Sequence, residues 1–145
     1  MLVSHILREK GRDVVSVTDD MSISDVVKVL SERRIGAVLV IGSAGGVIGI
    51  LSERDIVRAL ANDGSAALQR EARAYMTREV VACAESDSIE DVMETMTRGR
   101  FRHLPVFDDE RLLGLVSIGD VVKSRIADAE IETQTLREYV VMGAP

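Results

Sequence analysis

With 145 residues, 46% hydrophobic and 29% charged, the chain is long enough to bury a core without crosslinks. Its 24 acidic and 18 basic residues leave a net charge of −6, and it carries two Phe, two Tyr and no Trp; this excludes general polyanion binding and an aromatic platform for single-stranded nucleic acid. One Cys excludes an intrachain disulfide, and charges interrupt every apolar run before a signal core or membrane span could form, so a cytoplasmic protein is expected, with no nucleic-acid and no membrane partner.

A short helix is expected over Val3–Glu9, ending at Lys10 and Gly11. The run VVSV (14–17) reads as a strand, followed by a helix from Ile23 whose apolar residues Ile23, Val26, Val27 and Leu30 keep the i, i+3, i+4, i+7 stripe. AVLVI (37–41), the turn GSAGGV and VIGIL (47–51) read as a hairpin, and a second helix opens at Ser52. Residues 62–76, NDGSAALQREARAYM, read as a helical linker. The series then recurs: VVAC (80–83), a helix carrying Ile89, Val92, Met93 and Met96, the strands LPVF and LLGLV, and a helix from Ile118 to about Val141. That last helix keeps a rough apolar stripe through Val121, Val122, Ile126, Ala129, Leu136 and Val140.

The chain is therefore written twice. Ser22, Ile23, Asp25 and Val26 fall on Ser88, Ile89, Asp91 and Val92 at an offset of 66, and Gly49, Ser52, Asp55 and Val57 fall on Gly114, Ser117, Asp120 and Val122 at an offset of 65. The one-residue difference sits in the hairpin turn, where length changes are tolerated. Each copy reads β-α-β-β-α, and one copy alone would leave a sheet face uncovered. The expected fold is α+β: two pseudo-twofold-related repeats packed sheet to sheet, plus a long C-terminal helix. The divisions are 1–61 (first repeat with its amino-terminal helix), 62–76 (linker), 77–127 (second repeat) and 128–145 (helical extension). The stripe of the last helix points to a homodimer.

The spacing Ser-x-x-Asp occurs at four helix starts, at 22/25, 52/55, 88/91 and 117/120. As a helix-capping signature it explains all four, since a Ser at the N-cap accepts from an amide of the first turn and an acidic residue suits the positive helix end. Only the pairs at 52/55 and 117/120 follow a Gly-led strand, in GILSERDIV (49–57) and GLVSIGDVV (114–122). A strand-to-helix junction collects amide donors and a helix dipole, which attract phosphate. A carboxylate at the same place is better suited to accept two vicinal hydroxyls. The stretch RGRFRH (98–103) is asymmetric: Arg100 matches Arg34, but Arg102 and His103 face Gly36 and Ala37 in the first repeat, so two unequal sites are expected. Arg54 can pair with neighbouring carboxylates as readily as with a ligand.

No enzyme is expected. The two His (His5, His103) and Cys83 offer no metal-ligand spacing, GSAGGVIG lacks the Lys-Ser/Thr ending of a phosphate loop, and Cys83 has no basic neighbour in sequence.

The paired order of MSISDVVKVLSERRIGAVLVI, GILSERDIV, MTREVV, FRHLPVFDD and GLVSIGDVV resembles a tandem CBS-domain protein, the paired arrangement called a Bateman module, over about Lys10–Ile126. The resemblance implies a stand-alone regulatory module that binds adenosine-containing nucleotides (AMP, ADP, ATP, NAD(H) or S-adenosylmethionine) in a cleft between the repeats and relays this to an effector protein of unknown identity. No cofactor is required; AMP, ATP or NADH lead the candidate ligands. It further implies that Asp55 and Asp120 bind ribose hydroxyls, with Ser52 and Ser117 meeting ribose or phosphate. The Asp120 site would draw its adenine wall from near Lys10, Val15, Ile35 and Gly36, and the Asp55 site from near Val81, Phe101 and Arg102. Arg102 and His103 would reach phosphates. The alternative reading is a ligand-free structural or dimerisation module that binds a protein partner.

Overall fold

The computed structural model describes residues 1–142, so the last three residues of the expected 128–145 extension lie outside the described residues. The chain divides into two compact units. One is Val14–Val81; the other joins Met1–Asp13 to the chain from Ala82 onward.

In the first-repeat unit, β1 (Ser16–Thr18) runs parallel to β2 (Ala37–Ile41), which pairs antiparallel with β3 (Val47–Ser52) in the order β1-β2-β3. The strands are flanked by α2 (Ile23–Arg33) and α3 (Glu53–Asp63). The expected stripe is the buried one: Ile23, Val26 and Leu30 join Val17, Val38, Val40, Leu51 and Ile56 in one core. The segment expected to be a helical linker is instead two 3-10 turns, Gly64–Gln69 and Ala72–Ala74, and it belongs to this unit. Gly64, at φ +65°, ends α3 by turning the chain back on itself. Ala67 and Ala72 are then fully buried, and the Ala72 N–H donates to the Met21 carbonyl at 2.8 Å. Small side chains allow this close return, so the alanines that raise helix propensity serve packing instead.

The second-repeat unit contains α1 (Val3–Lys10), α4 (Ile89–Gly99), β4 (His103–Asp108), β5 (Arg111–Ser117) and α5 (Ile118–Val141). Strands β4 and β5 form an antiparallel pair. The expected VVAC strand shrinks to a single parallel bridge from Cys83 to Val106, held by Cys83 N–H to the Pro105 carbonyl and Phe107 N–H to the Cys83 carbonyl, both at 3.0 Å. The β-α-β-β-α order thus holds in both repeats, with its first strand reduced in the second. The amino-terminal helix, expected with the first repeat, packs into the second: Val3 N–H donates to the Asp87 carbonyl, Ile89 N–H to the Met1 carbonyl, and Val3, Ile6 and Leu7 are buried. Arg34 and Arg100 close α2 and α4 at φ +55° and +57°, matched helix ends one repeat apart.

The conserved spacing of Gly49 and Gly114 between the repeats has a packing cause. A Cβ on Gly49 would lie 2.6 Å from Met76 Sδ and 3.0 Å from the Thr77 carbonyl; one on Gly114 would lie 2.7 Å from Leu7 Cδ2. Each glycine admits the chain segment that precedes the other repeat.

Candidate functional site

Strands β3 and β5 end at Ser52 and Ser117, each of which is the N-cap of the following helix. At the first junction the Asp55 N–H donates to Ser52 Oγ at 3.3 Å, while Ser52 N–H donates to Asp55 Oδ2 at 2.9 Å and Ser52 Oγ to the same oxygen at 3.1 Å. The second junction repeats this: Asp120 N–H to Ser117 Oγ at 3.2 Å and Ser117 N–H to Asp120 Oδ2 at 2.8 Å. At 22/25 and 88/91 only the amide-to-serine bond forms, at 3.1 Å in both. The four equal spacings therefore separate into two classes. In the Gly-led pair the carboxylate folds back over the helix mouth; in the other pair the Asp is exposed.

The junctions are less open to phosphate than the spacing implies. Glu53 N–H donates to the Gly36 carbonyl at 3.0 Å and Ile118 N–H to the Arg102 carbonyl at 2.8 Å, so two of the first three amides of each helix already serve protein acceptors. Half-buried carboxylates remain the prominent feature of both junctions.

The structure brings Lys10 to Asp120. Lys10 Nζ donates to Asp120 Oδ2 at 2.7 Å and to the Leu115 carbonyl at 2.9 Å. Burial opposes ionisation of Asp120, but the Lys10 hydrogen bond, the Ser117 N–H and the Lys10 charge outweigh it and hold the carboxyl below its ordinary value. Lys10 and Asp120 line a pocket of about 410 Å³ with Ile6, Glu9, Lys123 and Ser124 among its walls, a size suited to a small ligand.

Asp55 meets Thr77, whose Oγ1 donates to Asp55 Oδ1 at 3.4 Å. Thr77 is absent from the residues singled out in the sequence. The signal that finds it is positional, because Lys10 and Thr77 stand four and three residues before the paired valines that open the repeats, Val14–Val15 and Val80–Val81. Arg54, half-buried at the start of α3, forms no ion pair among the described residues.

The remaining expected residues gather unit by unit. In the first-repeat unit Val15 and Ile35 are half-buried against the core, Gly36 abuts the start of α3, and Val81 is half-buried at the unit's edge. In the second-repeat unit the β4–β5 register sets His103 opposite Ser117, Arg102 is exposed, and the Phe101 ring lies against Gly99, where no Cβ could fit. Ala37 stands opposite Ser52 in the equivalent place, so the polar excess beside Ser117 is real within its unit.

Among the described residues no group of three or more His, Cys, Asp or Glu could hold a metal ion, and no helix is long and apolar enough to cross a membrane. Burial pushes the Cys83 thiol up to about 12, with Asp87 adding to the shift, so it is no activated nucleophile.

Two β-α-β-β-α repeats each carry a capping-box carboxylate where a Gly-led strand meets a helix, the arrangement of a tandem-repeat protein. The chain belongs to the CBS-domain family: the CBS domain matches residues 3–62 and 72–127. It is similar to the CBS-domain-containing protein ATU1752 from Agrobacterium tumefaciens, with 48% identity, a TM-score of 0.84, and 86% of this chain and 92% of that one covered. The CBS domain protein PAE2072 from Pyrobaculum aerophilum, solved in complex with AMP, is 26% identical with a TM-score of 0.77, covering 92% and 99%. The CBS domain pair of protein MJ0100, solved with 5′-methylthioadenosine and S-adenosyl-L-methionine, is 26% identical with a TM-score of 0.75, covering 90% and 98%. Proteins similar to this chain thus bind adenosyl ligands, and the family is regulatory rather than catalytic.

Proposed function

We propose that this protein is a regulatory module that binds adenosine-containing ligands, with Asp55 and Asp120 accepting the ribose hydroxyls, and that it passes the ligand state to a partner protein. The observation that carries this reading is the division of the four Ser-x-x-Asp helix starts. Only at Asp55 and Asp120 does the carboxylate turn back over the strand-to-helix junction. The AMP, methylthioadenosine and S-adenosylmethionine bound by similar proteins share one adenosine moiety, the part such a carboxylate recognises. Ser52 and Ser117 stand beside the ribose, Val15, Ile35, Val81 and Phe101 supply apolar contact to the base with the Gly36 backbone, and Lys10, Arg54, Arg102 and His103 favour phosphate. AMP, ATP and NADH are the first ligands to test.

Calorimetric titration with AMP, ATP, NADH and S-adenosylmethionine tests the reading. Asp55→Ala and Asp120→Ala, folded by circular dichroism, each lose binding at one site; unchanged affinity in both overturns the ribose role. The exposed apolar residues of α5 and α3, including Ile118, Val122, Ile126 and Val57, support the further reading that the protein forms a homodimer and presents a surface to its effector. If no ligand binds and the protein is a dimer, the ligand-free interaction module is the correct description.

A further inference from the structure

The two carboxylates are closed by different chemistry. Ile50 and Leu115 are equivalent in the two repeats, as are Asp55 and Asp120, each pair 65 residues apart. In the first-repeat unit the segment entering beside Gly49 brings Thr77, whose N–H donates to the Ile50 carbonyl at 2.9 Å and whose hydroxyl points at Asp55. In the second-repeat unit the segment entering beside Gly114 brings Lys10, which donates to the Leu115 carbonyl and to Asp120. Lys10 thus holds in one unit the place that Thr77 holds in the other, although the two segments are a helix end and an extended stretch. One carboxylate is neutralised by a cation; its counterpart meets an uncharged hydroxyl.

The surrounding charges do not cancel this difference. Lys123 faces the Lys10 pocket and Glu9 lines it too, so the pocket itself is balanced, and the repeat equivalent of Lys123 is Arg58, also a cation. Arg54 neighbours Asp55, where Gly119 neighbours Asp120, but adjacent residues on a helix do not face each other, and Arg54 makes no ion pair with Asp55.

We propose that Lys10 makes the Asp120 site selective for anionic adenosyl ligands, while the Asp55 site, closed by Thr77, takes adenosyl ligands with or without a phosphate. This rests on the ribose-anchor reading above. A ligand without negative charge must compete with the Lys10 ammonium for Asp120 and leave that cation without compensation. A phosphorylated ligand draws Lys10 onto its phosphate and frees the carboxylate for the ribose hydroxyls. At Asp55 no such exchange is needed: Arg54 offers a phosphate contact without occupying the carboxylate, and the other phosphate-favouring residues, Arg102 and His103, stand beside Ser117 in the second-repeat unit.

The test is calorimetry with AMP and adenosine on the full chain in two single-anchor backgrounds. In Asp55→Ala, where only the Asp120 site remains, AMP binds more tightly than adenosine. Adding Lys10→Thr cuts that preference by about tenfold, the size of one partly screened charge contact, whereas Lys10→Arg keeps it. In Asp120→Ala the two ligands bind within a few-fold, and adding Thr77→Lys raises the AMP preference. The Lys10 side chain is 36% exposed, so its replacement leaves the buried face of α1 intact. An AMP-to-adenosine ratio unchanged by Lys10→Thr overturns the proposal while leaving the ribose reading in place. Binding that survives in wild type but vanishes in Asp55→Ala also overturns it, since Asp120 then anchors nothing. Absence of binding in wild type overturns the ribose reading itself, and the proposal with it.

Discussion

Replacing Gly114 by Ala tests how the amino-terminal helix is held, and through it how Lys10 reaches Asp120. The new Cβ would sit 2.7 Å from Leu7 Cδ2 and 3.2 Å from Cδ1, both on a side chain that is 1% exposed. A methyl forced into a packed core costs about 1–3 kcal/mol, while leaving Gly in a strand forgoes about 0.5–1 kcal/mol relative to Ala. The net is a destabilisation of up to about 2.5 kcal/mol with a centre near about 1 kcal/mol, which is roughly 3 °C in melting temperature for a chain of this size. Leu7→Ala alone leaves a cavity and costs about 2–5 kcal/mol. The double variant removes the very methyls that clash, so its cost falls short of the sum by about 1 kcal/mol. Urea unfolding followed by far-ultraviolet circular dichroism, the chain having no Trp, measures all four proteins. Strict additivity of the two single variants refutes the close-approach argument.

The other expectations divide by site. Asp120 has a lowered folded pKa, so its ionised form contributes stability above the unfolded carboxyl value, and this is lost as pH falls through the folded value. Urea midpoints at pH 6 and pH 3 should therefore fall further apart in wild type than in Lys10→Met, with the pair worth at most about 1 kcal/mol because both groups are partly exposed. Ser22→Ala and Ser88→Ala should each cost about 1 kcal/mol as lost helix caps, and Asp25→Ala and Asp91→Ala should leave AMP titrations unchanged. Binding lost in either aspartate variant would break the distinction between the two classes of helix start. On α5, Val122→Glu with Ile126→Glu should leave the far-ultraviolet circular dichroism spectrum unchanged, since both side chains are exposed in the single chain. The same pair should convert a dimer to monomer by sedimentation velocity; an unaltered dimer would place the interface elsewhere.

Local pattern carried the elements whose partners lie close in sequence. The stripes Ile23–Val26–Leu30 and Ile89–Val92–Met96 are buried, the hairpins close at their Gly- or Asp-rich turns, and α5 ends at Val141. What escaped were features set by distant partners. VVSV and VVAC are alike in composition, yet one forms a short strand and the other a single bridge, because a ladder depends on the neighbouring strand as much as on propensity. The alanines of 62–76 read as helix because propensity cannot see the backbone they pack against. The Asp carboxylates were legible from repeat and position, but their closing residues were not equally so. Lys10 entered through the family resemblance, whereas Thr77, 22 residues from Asp55, is marked only by its place before the second pair of valines.

The exchange of closing segments gives two matching junctions different surroundings. Strand, glycine, capping serine and aspartate are tied to one another by the backbone of a single repeat, so changing any one disturbs the junction that the others build. The segments that bring Leu7 and Lys10 to one junction and Met76 and Thr77 to the other precede the repeats and meet them through packing and a few polar contacts, Lys10 on the Leu115 carbonyl and Asp120, Thr77 on Ile50 and Asp55. Neither segment is part of the hairpin or of the capping box that it meets. On the proposed reading, a charge at that position alters what the carboxylate accepts, so the difference between the two sites is set at Lys10 and Thr77 rather than at Asp55 and Asp120.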